Sequence, residues 1–269
     1  MQAGYLIGVL AVILTACSAG GPPASAPQSV KLTASETATI GKKIWQNECA
    51  GTVIGLTTWN VGEEFPSLGI GHFIWYPEGF RGRFSESWPS FVTFARARGL
   101  SVPAVALEPH SPWNSRAEFQ SALNGPQLTA LRAWLAGNVA VQTDYIITRS
   151  QAALPKILDA APPSERERIA ENYRKVSRCP QGVYALMDYV NFKGDGTQVS
   201  ERYQGQGWGL LQVLGGMKNV PAGPAAAAEF ATSARRTLSR RIENSPEGRG
   251  EKRWEAGWHM RCNTYGRPL

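Results

Sequence analysis

The chain has 269 residues, of which 43% are hydrophobic, 10% aromatic and 18% charged. This composition excludes wholesale disorder, a collagen and a long coiled coil, and the length suits one large domain or two small ones. The formal net charge of +7 favours an anionic partner, such as nucleic acid, anionic lipid or an acidic polymer, without choosing among them. Four cysteines are too few for a fold built on disulfides.

Residues 1–16 have the pattern of a signal peptide. An apolar run, Tyr5 to Ala16, is too short to span a bilayer as a helix and ends just before Cys17. The sequence Leu-Thr-Ala-Cys at this point resembles the lipobox of bacterial lipoproteins, which implies lipidation of Cys17. Ser18 after it implies sorting to the outer membrane, facing the periplasm. The alternative is a buried N-terminal helix.

Residues 17–35 are predicted to be the lipidated cysteine and a flexible tether, because Gly, Pro, Ala and Ser dominate without apolar periodicity. Residues 36–269 are predicted to be a single domain, since no internal repeat and no later change of composition marks a second boundary. The protein would then be held by a lipid anchor in the bacterial cell envelope.

The first predicted helix covers 36–49, with Ser35 as its N-cap and Ile40, Ile44 and Trp45 at helical spacing. Residues 55–76, rich in Thr, Gly and aromatic side chains, predict a hairpin or small sheet. Further helices are predicted at 87–97, 116–123, 126–136, 139–158, 164–176, 183–192, 225–242 and 250–265.

Three local features complete the predicted chain. Pro155 is expected to kink or end its helix, Ser164 is expected to cap the next one, and the Gly-rich segment 193–213 is expected to be irregular. The fold class is therefore α+β, mainly α: a helical domain with a small β-hairpin or sheet near its N-terminus.

The densest group of chemically useful residues runs from Glu48 to His72. Glu48 ends the first predicted helix, Glu63 and Glu64 follow in the hairpin, and the segment closes with Ser-Leu-Gly-Ile-Gly-His at 67–72. Glycines at alternate positions would let a ligand or a facing helix approach the backbone. Glycosidic cleavage uses two carboxyl groups, one protonated and shielded from water and one ionised.

Two segments resemble the lysozyme-like superfamily. The sequence SLGIGH is similar to the Thr-x-Gly-x-Gly-His strand of phage-type lysozymes, which follows a catalytic Glu at the end of the first helix. Residues 203–213, YQGQGWGLLQV, resemble the Gly-Leu-x-Gln segment of lytic transglycosylases and the Tyr-x-Gly-x-Gly-x-x-Gln segment of family 19 chitinases. The interval from Glu48 to SLGIGH is a few residues longer than in phage-type lysozymes.

This resemblance implies a lysozyme-like domain in a bacterial lipoprotein that acts on peptidoglycan or a related amino-sugar polymer. Glu48 would be the general acid, Glu63 or Glu64 the assisting carboxylate, and Ser67 with His72 would position water or substrate. The candidate substrate-binding residues are Trp59, Gly69, Gly71, Tyr203, Trp208 and Gln212. With one usable carboxylate, the expected reaction shifts from hydrolysis to lytic transglycosylation.

Several of these residues have a structural interpretation as well. Glu48 could face solvent at a helix end, and Glu63 and Glu64 could lie in a solvated turn. Gln212 could be an amide that holds two loops together, and the tryptophans could fill the core. Asp195 predicts a turn with Gly196, although this loop, with Asp188 before it, could supply a second carboxylate.

Other chemistries have weaker support. Two of the three cysteines after Cys17 (Cys49, Cys179 and Cys262) could pair in an oxidising periplasm, and Cys49 could be a thiol nucleophile. Three scattered histidines without a Cys-x-x-Cys motif argue against zinc, and no phosphate loop or dinucleotide fingerprint appears, so no metal or cofactor is predicted.

The basic run from Arg235 to Arg241 predicts a solvated helix face, and no nucleic-acid partner is expected in this compartment. The sequence identifies no protein partner. The rival to an enzyme is a lipoprotein that binds a glycan without cleaving it, or that scaffolds other envelope proteins.

Overall fold

The structure is a computed structural model that describes residues 31–82 and 84–269. The predicted signal peptide, the lipidation site Cys17 and most of the predicted tether lie outside the described residues. Among the helices that are described, none combines the length and apolar character needed to cross a membrane. The fold class is α+β and mainly helical, as predicted, with a small sheet near the N-terminus.

The first helix, α1 (Ala34–Cys49), begins earlier than predicted and is not capped by Ser35. Thr33 and Glu36 form a capping box, in which Thr33 Oγ1 accepts from Glu36 N at 3.2 Å and the Glu36 carboxylate accepts from Thr33 N at 2.7 Å. Because this cap is complete, the helix replaces the end of the predicted tether.

The end of α1 fixes the position of Glu48. Ala50 and Gly51 both adopt left-handed backbone, with φ of 51° and 68°, so the helix stops at Cys49. For alanine this conformation is unfavourable by roughly 1–2 kcal/mol. Glu48 therefore lies in the last turn, beside the chain reversal that leads into the sheet.

The predicted sheet is present but very short. It is antiparallel, in the order β1 (Thr57–Thr58), β2 (Ser67–Leu68) and β3 (Phe73–Ile74), with Ser67 opposite Ile74. Residues 69–72 form the turn between β2 and β3, so SLGIGH is a strand followed by a turn rather than one strand.

The remaining elements agree with most of the predicted segments. The other described α-helices and strands are α2 (Trp88–Ala97), α3 (Arg116–Ser121), α4 (Pro126–Gly137), α5 (Val139–Ala160), α6 (Arg166–Val176), α7 (Pro180–Lys193), β4 (Arg202–Tyr203), β5 (Gln206–Gly207), α8 (Leu210–Gly215), α9 (Pro224–Asn244) and α10 (Glu255–Thr264).

Two expectations for these segments are wrong, and a third loses one of its alternatives. Pro155 does not end α5, which continues to Ala160 although a proline removes one backbone hydrogen bond, so a kink is the expected effect that is left. Ser164 does not cap α6, since it lies in a 3-10 turn that precedes the helix. Residues 193–213 are not irregular throughout, because they contain the β4–β5 hairpin and most of α8.

The core joins two groups of buried aromatic side chains. One packs the sheet against α2 and α5, where Phe73 stacks on Phe91 with ring centroids 4.5 Å apart. The other packs α7, α9 and α10 around Tyr184, Tyr189, Phe230 and Tyr265. Helix α5 contacts α1, α2 and α7 and so connects the two groups.

Of the arginines of α9, Arg236 is exposed, as the predicted solvated face requires, whereas the others are partly buried. Arg236 pairs with Glu229 at 2.8 Å, and Arg235 bonds Asn263 of α10. Arg241 makes two hydrogen bonds to the buried carboxylate of Glu251, at 2.8 and 2.9 Å. The basic run therefore stabilises the C-terminal part of the fold.

Candidate active site

A cleft of about 660 Å³ lies between the sheet and the end of α7, with α5 along it. Its acidic lining comes from three separate parts of the chain: Glu48 from α1, Glu63 before β2 and Asp195 after α7. Two further predicted residues, Ser67 and His72, line the same cleft. The structure thus brings together four of the five predicted catalytic residues.

Glu48 is shielded from water, as predicted, with 13% of its side chain exposed. Its Oε1 accepts hydrogen bonds from Arg261 and, at 3.2 Å, from Asn191. Its Oε2 lies 3.5 Å from His72 Nδ1. Because Oε1 is already engaged by two donors, Oε2 is the oxygen at which Glu48 can exchange a proton with a ligand.

Arg261 ties Glu48 to a buried network. Its guanidinium also donates to Asp188 at 2.8 and 2.9 Å, and Tyr265 donates to the same carboxylate at 2.7 Å. Burial alone would lower the pKa of Arg261, but Asp188 and then Glu48 more than offset this and hold the pKa well above its ordinary value. Arg261 therefore remains a cation beside Glu48.

Asp188 has a different role from the one considered for it. Its side chain is completely buried, and Asn47 adds a further hydrogen bond at 3.2 Å. With all of its contacts inside the protein, Asp188 supports Arg261 rather than facing a ligand.

His72 adopts left-handed backbone, with φ of 46°, which is uncommon outside glycine. Such a conformation costs of order 1–3 kcal/mol. It directs the ring towards Glu48, and Nε2 is buried with no hydrogen-bond partner among the described residues. The position of His72 beside Glu48 suits the predicted orienting role.

The two hairpin glutamates lie in different places. Glu63 lines the cleft and accepts a hydrogen bond from Asn60 at 3.1 Å. Glu64 does not line it and instead faces a neighbouring depression of about 390 Å³, which Glu63 and Trp59 also line. Of the two alternatives for an assisting carboxylate, the geometry therefore favours Glu63.

Asp195 is a second carboxylate on the cleft. Its Oδ1 accepts from the Thr197 backbone at 2.9 Å and hydroxyl at 2.7 Å, and Oδ2 lies 3.5 Å from Lys156 Nζ. Burial alone would raise the pKa of Asp195, but the Thr197 hydrogen bonds and the Lys156 charge more than offset this and lower it. Asp195 thus provides an ionised carboxylate.

Gly69 and Gly71, the two glycines predicted to bind substrate, are needed first to form the turn between β2 and β3. Gly69 has a φ of 70° and packs against Gln142, away from the cleft. Gly71 does line the cleft, but a Cβ there would lie 2.4 Å from the Phe73 ring. Both positions therefore require glycine to form the turn that positions His72.

The three candidate binding residues in the second segment of resemblance, 203–213, do not line the cleft. Their predicted role in substrate binding is therefore not supported. Gln212 accepts from Gly209 N at 2.9 Å and donates to Gly196 O at 3.1 Å, which is the loop-holding interpretation. Tyr203 donates to Glu251 at 2.9 Å. Trp208 is 8% exposed and lies under Arg241, with the guanidinium carbon 4.0 Å from its ring centroid.

Trp59 is also mainly a core packing residue. Its side chain is 4% exposed, its Nε1 donates to Glu63 O at 2.7 Å, and its ring packs edge-on against Phe119. It lines the neighbouring depression and not the main cleft.

The cysteine hypotheses are not supported. Cys49, Cys179 and Cys262 are buried free thiols, so no pair forms among them. Burial, and then the charge of Glu48, raise the pKa of Cys49 to about 12. A thiol that stays protonated is a poor nucleophile, which argues against catalysis by Cys49.

Sequence reasoning missed the residues that surround Glu48. Asn191 and Arg261 are 143 and 213 positions away from it along the chain, and neither belongs to a recognisable motif. Arg149 and Lys156, which line the cleft from α5, were missed for the same reason. Their spacing of seven would place them on one helix face, but only the fold shows which element that face meets.

Comparisons of the chain with protein-family models, with curated proteins and with solved structures find no match. Function is therefore inferred from the geometry of the cleft and of the residues from Glu48 to His72 that line it.

Proposed function

We propose that this protein cleaves the glycosidic bonds of peptidoglycan or a related amino-sugar polymer, and that Glu48 is the general acid. The observation that carries the proposal is a glutamate with 13% side-chain exposure at the edge of a 660 Å³ cleft that also contains two other carboxylates. A shielded acid and a second carboxylate on one cleft are what glycoside cleavage requires.

In this proposal, Glu48 transfers a proton from Oε2 to the glycosidic oxygen as the bond to the anomeric carbon breaks. Glu63 or Asp195, as a carboxylate, stabilises the positive charge that develops on the sugar. In hydrolysis, water then adds to the anomeric carbon and its second proton returns to Glu48. In lytic transglycosylation, a hydroxyl of the same sugar attacks instead and returns the proton.

The remaining cleft residues have supporting roles. Arg261 engages Oε1 of Glu48 and His72 lies 3.5 Å from Oε2, so both neighbours help to position the carboxyl group, and Ser67 lines the cleft together with Glu63. The proposed location is the cell envelope, where the lipid anchor at Cys17 would keep the domain near its substrate.

The test is digestion of purified peptidoglycan by the wild type and by Glu48→Gln. We expect Glu48→Gln to lose about 10²–10⁴-fold in rate, the usual contribution of a positioned general acid, while it still sediments with the glycan. The control is Glu108→Gln, because Glu108 is exposed and does not line the cleft.

The same experiment separates the enzyme from its rival. A wild type that binds peptidoglycan but releases no fragments would favour the non-catalytic binding protein. Equal digestion by wild type and Glu48→Gln would show that another group supplies the proton.

A further inference from the structure

One face of α5 carries two cations into the cleft. Arg149, Ala152, Ala153 and Lys156 all line it, at the i, i+3, i+4 and i+7 spacing of a single helix face. At 1.5 Å per residue, the two cationic positions are roughly 10 Å apart along the helix axis. The small alanines between them leave the space above the helix open to a ligand.

The two cations differ in their protein partners. Lys156 lies 3.5 Å from Asp195 and is 66% exposed. Arg149 is exposed and makes no ion pair with any described residue, and its guanidinium carbon lies 5.7 Å from the centroid of the Tyr145 ring. The N–H groups of the Arg149 guanidinium are thus available to a ligand at the wall of the cleft.

These observations point to the charge of the ligand. A guanidinium binds carboxylates in a bidentate, charge-assisted geometry that an ammonium group does not match. Because Glu48, Glu63 and Asp195 line the same cleft, an anionic polymer would be repelled unless cations hold its acidic groups elsewhere. The face of α5 supplies such cations.

We infer that Arg149, assisted by Lys156, forms a carboxylate-binding subsite that selects an anionic amino-sugar polymer over a neutral one. The inference rests on the proposed function, which supplies the glycan as substrate, and it adds that this glycan is anionic. In peptidoglycan the carboxylates come from the attached peptides and, on sugars that carry no peptide, from the acidic ether substituent, and both present the same chemistry to Arg149.

The test measures sedimentation with three insoluble glycans in the Glu48→Gln background, so that cleavage does not interfere. The probes are intact peptidoglycan, peptidoglycan glycan strands stripped of their peptides, and chitin, which carries no carboxylate. We expect Arg149→Met to weaken binding to peptidoglycan about tenfold at low salt and to leave weak binding to chitin unchanged.

The matched control is Arg96→Met, since Arg96 is an exposed helical arginine that makes no ion pair with a described residue and does not line the cleft. It should bind all three glycans as the parent does. If the loss with Arg149→Met persists on stripped strands, Arg149 also binds the sugar carboxylate that removal of the peptides exposes; if it occurs on intact peptidoglycan alone, the bound carboxylate belongs to the peptides.

The inference would be overturned by equal losses on chitin and peptidoglycan, by no loss on either, or by an absence of binding to all three. Its failure is distinguishable from that of the proposed function. Cleavage by the wild type without any dependence of binding on Arg149 refutes the subsite alone, whereas Arg149-dependent binding without cleavage refutes the enzyme alone.

Discussion

At the scale of single residues, the chemistry of Glu48 is set by its immediate neighbours. Arg261 and Asn191 engage one carboxyl oxygen, and His72 faces the other in a backbone conformation that is uncommon among residues other than glycine. Backbone strain of this kind persists where surrounding structure enforces it, and such positions cluster at functional sites.

Cys49 gives a prediction at the same scale. Because its pKa is raised from 9.0 to about 12, the thiolate fraction at pH 8 is roughly a thousandfold lower than in the unfolded chain. We therefore expect iodoacetamide to leave Cys49 unmodified at pH 8 in the native protein and to alkylate it rapidly in urea, as measured by peptide mass mapping. Alkylation at similar rates in both states would show that the thiol is neither buried nor suppressed.

Some of the residues at this site could be predicted from the sequence, and others could not. Glu48, Glu63, Ser67 and His72 could be placed near one another because they lie within 25 positions of the chain and belong to one local turn-rich unit. Arg261 and Arg149 could not, because their role depends on how distant helices pack. Gln212 was assigned from a resembling segment, but its hydrogen bonds to Gly196 and Gly209 hold a loop instead.

At the scale of elements, the short sheet and its connecting loops position Glu63, Ser67 and His72 on the cleft. Local signals predicted its existence, since Thr, Gly and aromatic residues favour strands and turns. Its extent could not be predicted: strands of two residues are stabilised by packing of Phe73 and Trp75 against α2, and not by intrinsic strand preference.

The hairpin before β2 separates its two glutamates, and this separation is testable. Glu63 lines the cleft and Glu64 does not, so we expect Glu63→Gln to lower the rate of peptidoglycan cleavage at least about tenfold and Glu64→Gln to leave it within about twofold. The measurement is the initial rate of reducing-end release. A larger loss in Glu64→Gln than in Glu63→Gln would contradict this arrangement of the hairpin.

At the scale of the whole molecule, α1 and α10 meet at Glu48. Arg261 in α10 bonds Glu48 in α1 and Asp188 in α7, so one side chain links three helices at the edge of the cleft. The C-terminal helix therefore supports the edge of the cleft at which Glu48 lies.

Removal of this link should destabilise the fold. In Arg261→Met, the carboxylate of Asp188 is left buried without its cation, at a cost of about 3–5 kcal/mol in the free energy of unfolding. Urea denaturation measures it. The double variant with Asp188→Asn should lose less than Arg261→Met alone, because residue 188 then carries no buried charge; a loss below about 1 kcal/mol in the single variant would show that the network contributes little.

The central claim is that Glu48 donates a proton to a glycosidic bond in the cleft. The most direct measurement is the ratio of initial cleavage rates for wild type and Glu48→Gln on the same purified peptidoglycan, with product ends identified by mass spectrometry. We expect new sugar ends with the wild type and a rate at least about a hundredfold lower with Glu48→Gln. Equal rates for the two proteins, or no new ends from either, would refute the proposed role of Glu48.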